Sequence, residues 1–183
     1  MPRIQPLNES QANEKQKGLL DAVQKKLGAK PNILTTMAQS PATLQSYLAF
    51  GEALGGASIS GKLREQIALA VAGANGCDYC ASAHTAIGAG LGLAKDEAQK
   101  NLTGQASDAK AQAALTFSRR IVETRGWVDD ADVEAVRTAG FNDGQITEII
   151  ATVSLNIFTN YFNHIAQTAI DFPKVQAPEP AFA

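Results

Sequence analysis

Cysteine is scarce in this chain: two occur in 183 residues, both in the run Cys77-Asp78-Tyr79-Cys80. That scarcity excludes a disulfide framework, because a bridge between positions three apart closes a loop too small to add much stability. A structural zinc site with ligands from two knuckles also lacks its second pair. Basic charge is in short supply. The formal net charge is −2, and no stripe of Lys and Arg is present to neutralise phosphates, which argues against a nucleic-acid partner. No stretch stays apolar long enough to cross a bilayer, and Met1-Pro2-Arg3-Ile4-Gln5-Pro6 opens without an apolar run of signal-peptide length. A cytoplasmic location is the expectation. Alternating runs of Val, Ile, Thr and aromatics are missing, so strands are not expected. No glycine-rich phosphate loop or Ser-His-Asp pattern is found.

What remains is helical. About 45% of residues are apolar, enough for a real core, and one all-α domain over residues 1–183 is expected. The periodicity predicts helices over about 9–27, 33–39, 41–53, 61–74, 77–90, 95–102, 107–125, 129–138 and 143–170. Ser40 before Pro41, and Ser60 before Gly61, read as N-caps. Gly28, Gly55-Gly56, Gly76 and Gly140 read as stops. The last helix is apolar nearly all round and is expected at the centre. Pro173, Pro178 and Pro180 predict an extended or disordered tail over 173–183. Sliding the chain on itself by 83 residues lays 61–87 over 144–170 with eight of 27 positions identical, Glu65 over Glu148 among them. Two related helical units follow, about 41–92 and 129–170, and only the first carries cysteines. The second has Asn160 and Asn163 in their places and Gln167 in place of His84. Those asparagines are read as satisfying helix or interface hydrogen bonds, His164 as a core histidine and Trp127 as a loop anchor.

Chemistry concentrates between Glu65 and His84. Gly76 breaks one helix and the next begins near Cys77, where unpaired amides and the helix dipole favour a thiolate. Cys80 is one turn in, and His84 is four residues beyond it, so all three share one face. Two thiols and a histidine supply what hydroperoxide reduction needs: an attacking thiolate, a proton for the leaving alkoxide and a thiol to resolve the sulfenic acid. Glu65 sits among Ala68, Leu69 and Ala72, where a carboxylate needs a partner, and His84 is the natural one, giving a Glu–His relay. Tyr79 is a candidate for the substrate entrance. No bound cofactor or metal is expected. Sequence position divides on which cysteine attacks: Cys77 is nearer the helix start, Cys80 nearer His84.

Glu65, then Cys77, Cys80 and His84, resembles the Glu…Cys-x-x-Cys-x-x-x-His signature of the AhpD-like alkylhydroperoxidases in the carboxymuconolactone decarboxylase superfamily. Lys30-Pro31-Asn32-Ile33-Leu34 with Met37 and Ser40-Pro41 resembles its peroxidase-related branch. The resemblance implies an all-helical fold in homo-oligomers, trimers or hexamers, with Cys80 as the peroxide-attacking thiol, Cys77 as the resolving one, and Glu65 and His84 as the proton relay. It also implies a hydroperoxide substrate and a dithiol electron donor, in some members a lipoylated protein, with a peroxiredoxin as acceptor. Tyr79 stands where the best-known members carry a second histidine. The cysteine pair argues against lactone decarboxylation. Two alternatives share these residues: a general thiol–disulfide oxidoreductase, and a non-catalytic zinc-binding or redox-sensing module.

Overall fold

The computed structural model describes residues 1–180. Capping chemistry sets most helix starts. Asn13 accepts a hydrogen bond from Gln16 N–H and returns its own N–H to Gln16 Oε1, both at 2.9 Å, a reciprocal box that opens α1 at Glu14–Leu27. The expected start at residue 9 is therefore wrong; Glu9–Gln11 forms only a 3-10 turn. α2 is Asn32–Met37, and α3, Pro41–Gly55, is capped by Ser40 with Pro41 in its first turn. α4, Gly61–Asn75, is capped by Ser60. α5, Asp78–Gly90, follows after a single left-handed residue, Gly76, at φ 67°. α6 is Lys95–Leu102, α7 is Ala109–Glu123, α8 is Asp130–Thr138 and α9 is Asp143–Ala166. No strand occurs among the described residues.

The helix at the centre is α4, not α9. Every residue from Gln66 to Asn75 is buried, and α4 packs against α5, α6, α7 and α9. Its two apolar stripes divide the core. Ile67, Ala70, Val71 and Ala74 face Leu115, Phe117, Ile149 and Val153 on one side. Leu69 and Ala72 face Leu20, Met37, Leu44 and both cysteines on the other. Close approach has a sequence cause at Gly73, where a Cβ would lie 1.8 Å from the Leu102 carbonyl oxygen of α6.

α9 covers α4 with one face and presents Ile150, Phe158, Tyr161 and Ile165 outward, a stripe at helical spacing. His164 on this outer side is exposed rather than a core residue, and Trp127, at 86% exposure, anchors no loop. α9 also stops short of the expected residue 170, because Gln167 turns left-handed at φ 50°. The two segments matched in sequence diverge here: Gly76 interrupts the first, whereas Thr159, at the same offset, lies inside α9.

The tail is extended and docked. Asp171 accepts from Asn32 N–H at 2.7 Å, serving the start of α2, where Pro31 offers no cap. Val175 N–H donates to Ser82 Oγ at 2.9 Å and Ala177 N–H to Asp78 Oδ1 at 2.8 Å, strapping the tail along α5. These bonds tie the tail down as far as Ala177; positions 181–183 of the expected tail lie outside the described residues. Among the described residues no helix is long and apolar enough to cross a membrane.

Candidate active site

Gly76 decides how the cysteines are presented. It ends α4 with Cys77 N–H donating to Ala72 O at 2.9 Å, and α5 starts at once. Cys77 is the N-cap itself, not the first helical residue, and its Sγ accepts the N–H of Cys80 at 3.4 Å. Both cysteines are free thiols, at 1% and 2% exposure. One turn on, His84 Nδ1–H donates to Glu65 Oε2 at 2.7 Å. The pair is half-sheltered, with side-chain exposures of 20% and 16%. The four residues singled out in the sequence thus lie together where α5 packs on α4, the cysteines at the start of α5 and the Glu65–His84 pair between the two helices. Among the described residues no group of three or more His, Cys, Asp or Glu side chains is arranged to hold a metal ion.

The two thiols are electrostatically unequal. Burial works against ionising Cys80, but the Cys77 thiol, the charge on His84 and the amides of Asn163 and Asn160 outweigh it and bring Cys80 down to about 7. The hydrogen bond to Cys80, then burial, push Cys77 far up, so it keeps its proton and donates it to the Cys80 sulfur. Burial would lower His84, but the Glu65 carboxylate beside it wins and raises it, with Cys80 and Asn156 adding to the effect. The site therefore favours a thiolate at Cys80, an imidazolium at His84 and a thiol at Cys77. Position in sequence did not separate the cysteines; their surroundings do.

Those surroundings come from α3 and α9. Asn163 Nδ2 donates to Cys80 Sγ at 3.3 Å. Asn160 is fully buried, its Oδ1 accepting from Asn75 Nδ2 at 2.9 Å. Asn160 makes the expected bond between helices, to Asn75 of α4, whereas Asn163 departs from that expectation and serves the reactive sulfur. A sequence signal existed. Asn156, Asn160 and Asn163 recur at i, i+4 and i+7 on one face of an apolar helix, and buried amides at that spacing need partners from another element.

A cavity of about 100 Å³ opens on Cys80 and His84, walled mainly by Tyr47, Tyr79, Ile87 and Phe172. Tyr79 is a wall rather than a polar contact. Its hydroxyl accepts from Ile33 N–H at 3.2 Å, and its ring stands edge-on to Phe172 at 5.8 Å. Tyr47 is the polar group the sequence did not reveal. Burial, reinforced by the negative Cys80 and Glu65, pushes its phenol up to about 12, so it stays a neutral hydroxyl at the cavity wall.

Two expected results follow from this arrangement. Alkylation of Cys80 by iodoacetamide should reach half its maximal rate near pH 7 instead of near an ordinary thiol's 9.0, since the thiolate is the reactive form and prevails above its lowered pKa. Replacing Asn163 by Leu removes a hydrogen bond to a charged sulfur, worth about 1.5–3 kcal/mol, and should move that midpoint up by about one to two pH units. A midpoint unmoved by Asn163→Leu would remove the amide from the account. Glu65→Gln should lower the His84 titration midpoint, read from the imidazole NMR signals, because the carboxylate is what raises it.

The sequence model of the carboxymuconolactone decarboxylase family matches residues 41–124, from α3 to the end of α7. That match and two solved structures at 25% identity support a place in the AhpD-like carboxymuconolactone decarboxylase superfamily. It is similar to a peroxidase-related protein of Silicibacter sp. TM1040, with a TM-score of 0.80, 25% identity, and 91% of this chain covered against 92% of that one. It is similar too to an alkylhydroperoxidase AhpD core, a peroxidase-related protein of Ralstonia eutropha JMP134, at TM-score 0.81 and 25% identity over 93% and 92% of the chains. The debrominase Bmp8 shares the fold at TM-score 0.78 and 21% identity over 92% of each chain. No curated protein matches the sequence.

Proposed function

We propose that this protein is a dithiol-dependent peroxidase. The observation that carries the reading is the setting of Cys80: a sulfur held near neutrality as thiolate, facing a small apolar cavity, with a protonated histidine on the same wall and a proton-bearing thiol beside it. The Cys80 thiolate attacks the terminal oxygen of a hydroperoxide and the O–O bond breaks. His84 gives its proton to the departing alkoxide, and an alcohol, or water, leaves. Cys80 is then a sulfenic acid. The Cys77 thiol attacks its sulfur, water departs and the disulfide forms. Glu65 holds the imidazole in register and favours its reprotonation. A dithiol donor resets the pair.

The narrow cavity, about 100 Å³, supports a small peroxide over a protein disulfide as the oxidant. A second copy of the chain is the proposed cover for the α9 stripe of Ile150, Phe158, Tyr161 and Ile165; sedimentation should show an oligomer that Phe158→Glu with Ile165→Glu weakens. The function is tested by following cumene hydroperoxide consumption with dihydrolipoamide as donor. Turnover well above the uncatalysed rate is expected. No turnover with several peroxides and donors would remove the peroxidase reading.

A further inference from the structure

The two cysteines open onto different cavities. Cys80 borders the apolar cavity that holds His84, and Cys77 does not. Cys77 borders a second cleft, of about 330 Å³, bounded by Asp78, His164, Gln167 and Thr168, and Cys80 does not. Tyr79 and Asn163 form the wall common to both. The second cleft exists because Gln167 ends α9 and turns the chain across the start of α5. Two of its lining residues carry a buried side-chain oxygen without a partner. Asn163, at 5% exposure, leaves its Oδ1 unbonded, and the Thr168 hydroxyl oxygen is buried and unbonded.

We propose that this second cleft receives the reducing dithiol, a small aliphatic one, which attacks Sγ of Cys77 from the face opposite the peroxide cavity. The proposal rests on the dithiol–disulfide cycle but not on peroxide being the oxidant. Displacement at a disulfide runs in line, so a nucleophile attacking Cys77 must approach from the side away from Cys80, and this cleft borders Cys77 without bordering Cys80. One donor thiolate bonds to Cys77 Sγ, the Cys77–Cys80 bond breaks, and its electron pair leaves on Cys80. The donor's second thiol then attacks its own sulfur in the mixed disulfide. The oxidised donor departs as a disulfide, and Cys77 takes up the proton that thiol gives up. The partition follows the leaving groups: exchange favours expelling the sulfur better able to carry negative charge, and Asn163 with His84 makes that sulfur Cys80. Oxidant and reductant therefore need not compete for one entrance.

The test starts from wild-type protein oxidised with diamide, so it reads out even if no peroxide is ever turned over. Limiting 2-mercaptoethanol is added, free thiols are blocked with N-ethylmaleimide, and the adduct is located by tandem mass spectrometry. The mixed disulfide is expected on Cys77 in about tenfold excess or more; an adduct mainly on Cys80 overturns the proposal. Rim variants give the second readout. His164→Trp should slow reduction of the disulfide by dithiothreitol about tenfold and leave oxidation by cumene hydroperoxide within about twofold, and Ile87→Trp should do the reverse. Reduction slowed more by Ile87→Trp than by His164→Trp, or by neither, also overturns it.

Discussion

Cys80→Ser is expected to abolish hydroperoxide turnover, by about four orders of magnitude or more, as loss of a nucleophile does in other enzymes acting through one. A serine hydroxyl in this pocket stays protonated, and none of the groups that settle charge on Cys80 can ionise it. The variant should fold, because the change is nearly isosteric and Asn163 can still donate to the oxygen. Cys77→Ser should behave differently. Without donor, it should consume one equivalent of peroxide per chain and stop, with dimedone capturing a sulfenic acid at Cys80. The asymmetry comes from the local fields: Cys77 holds its proton tightly, and the cleft that borders it does not contain His84. If dimedone instead marks Cys77 in the Cys80→Ser chain at a comparable rate, the order of attack is reversed.

The second large effect lies outside the site. Gly73→Ala adds a single methyl group to the middle of α4, where helix propensity alone would favour it by about 1 kcal/mol. Packing decides the opposite. The new carbon would lie 1.8 Å from the carbonyl oxygen of Leu102 and 2.7 Å from its carbonyl carbon, backbone atoms that cannot rotate away. α6 must shift off α4, opening the core around Leu69, Ala98 and Leu102. Overpacking of this kind costs about 3 kcal/mol or more, and the melting temperature should fall by about 10 °C. Gly18→Ala is the control: nothing lies within 4 Å of its added carbon, and it should leave the melting temperature unchanged or slightly raised. A Gly73→Ala chain as stable as wild type would mean that α4 and α6 are not in contact here.

Much of this was legible one element at a time. Ser40 with Pro41, Ser60 with Gly61 and Gly76 marked helix ends because a cap or a left-handed residue acts within a few positions. The start of α1 at Glu14 is not marked by apolar periodicity, which runs back to residue 9; the reciprocal bonds between Asn13 and Gln16 set it. The misplacement of α9 at the centre has a similar origin. Apolar content all round a helix signals burial somewhere, yet its outer stripe is left uncovered by this chain. Glu65 could be tied to His84 from sequence since a carboxylate among alanines and leucines demands a partner, and few partners existed.

The sequence by itself determined an all-helical chain with two thiols and a histidine on one turn-spaced face, following a helix that carries one glutamate. Those features depend on neighbours within about a turn or two, where backbone geometry alone relates the residues. Only the tertiary structure decided which sulfur carries the charge. Asn163 reaches Cys80 across 83 positions, Tyr47 arrives from α3, and the turn at Gln167 forms the cleft on Cys77. These depend on how helices seat against α4, and that seating is set by side-chain volumes and by the close approach at Gly73, which no local pattern encodes.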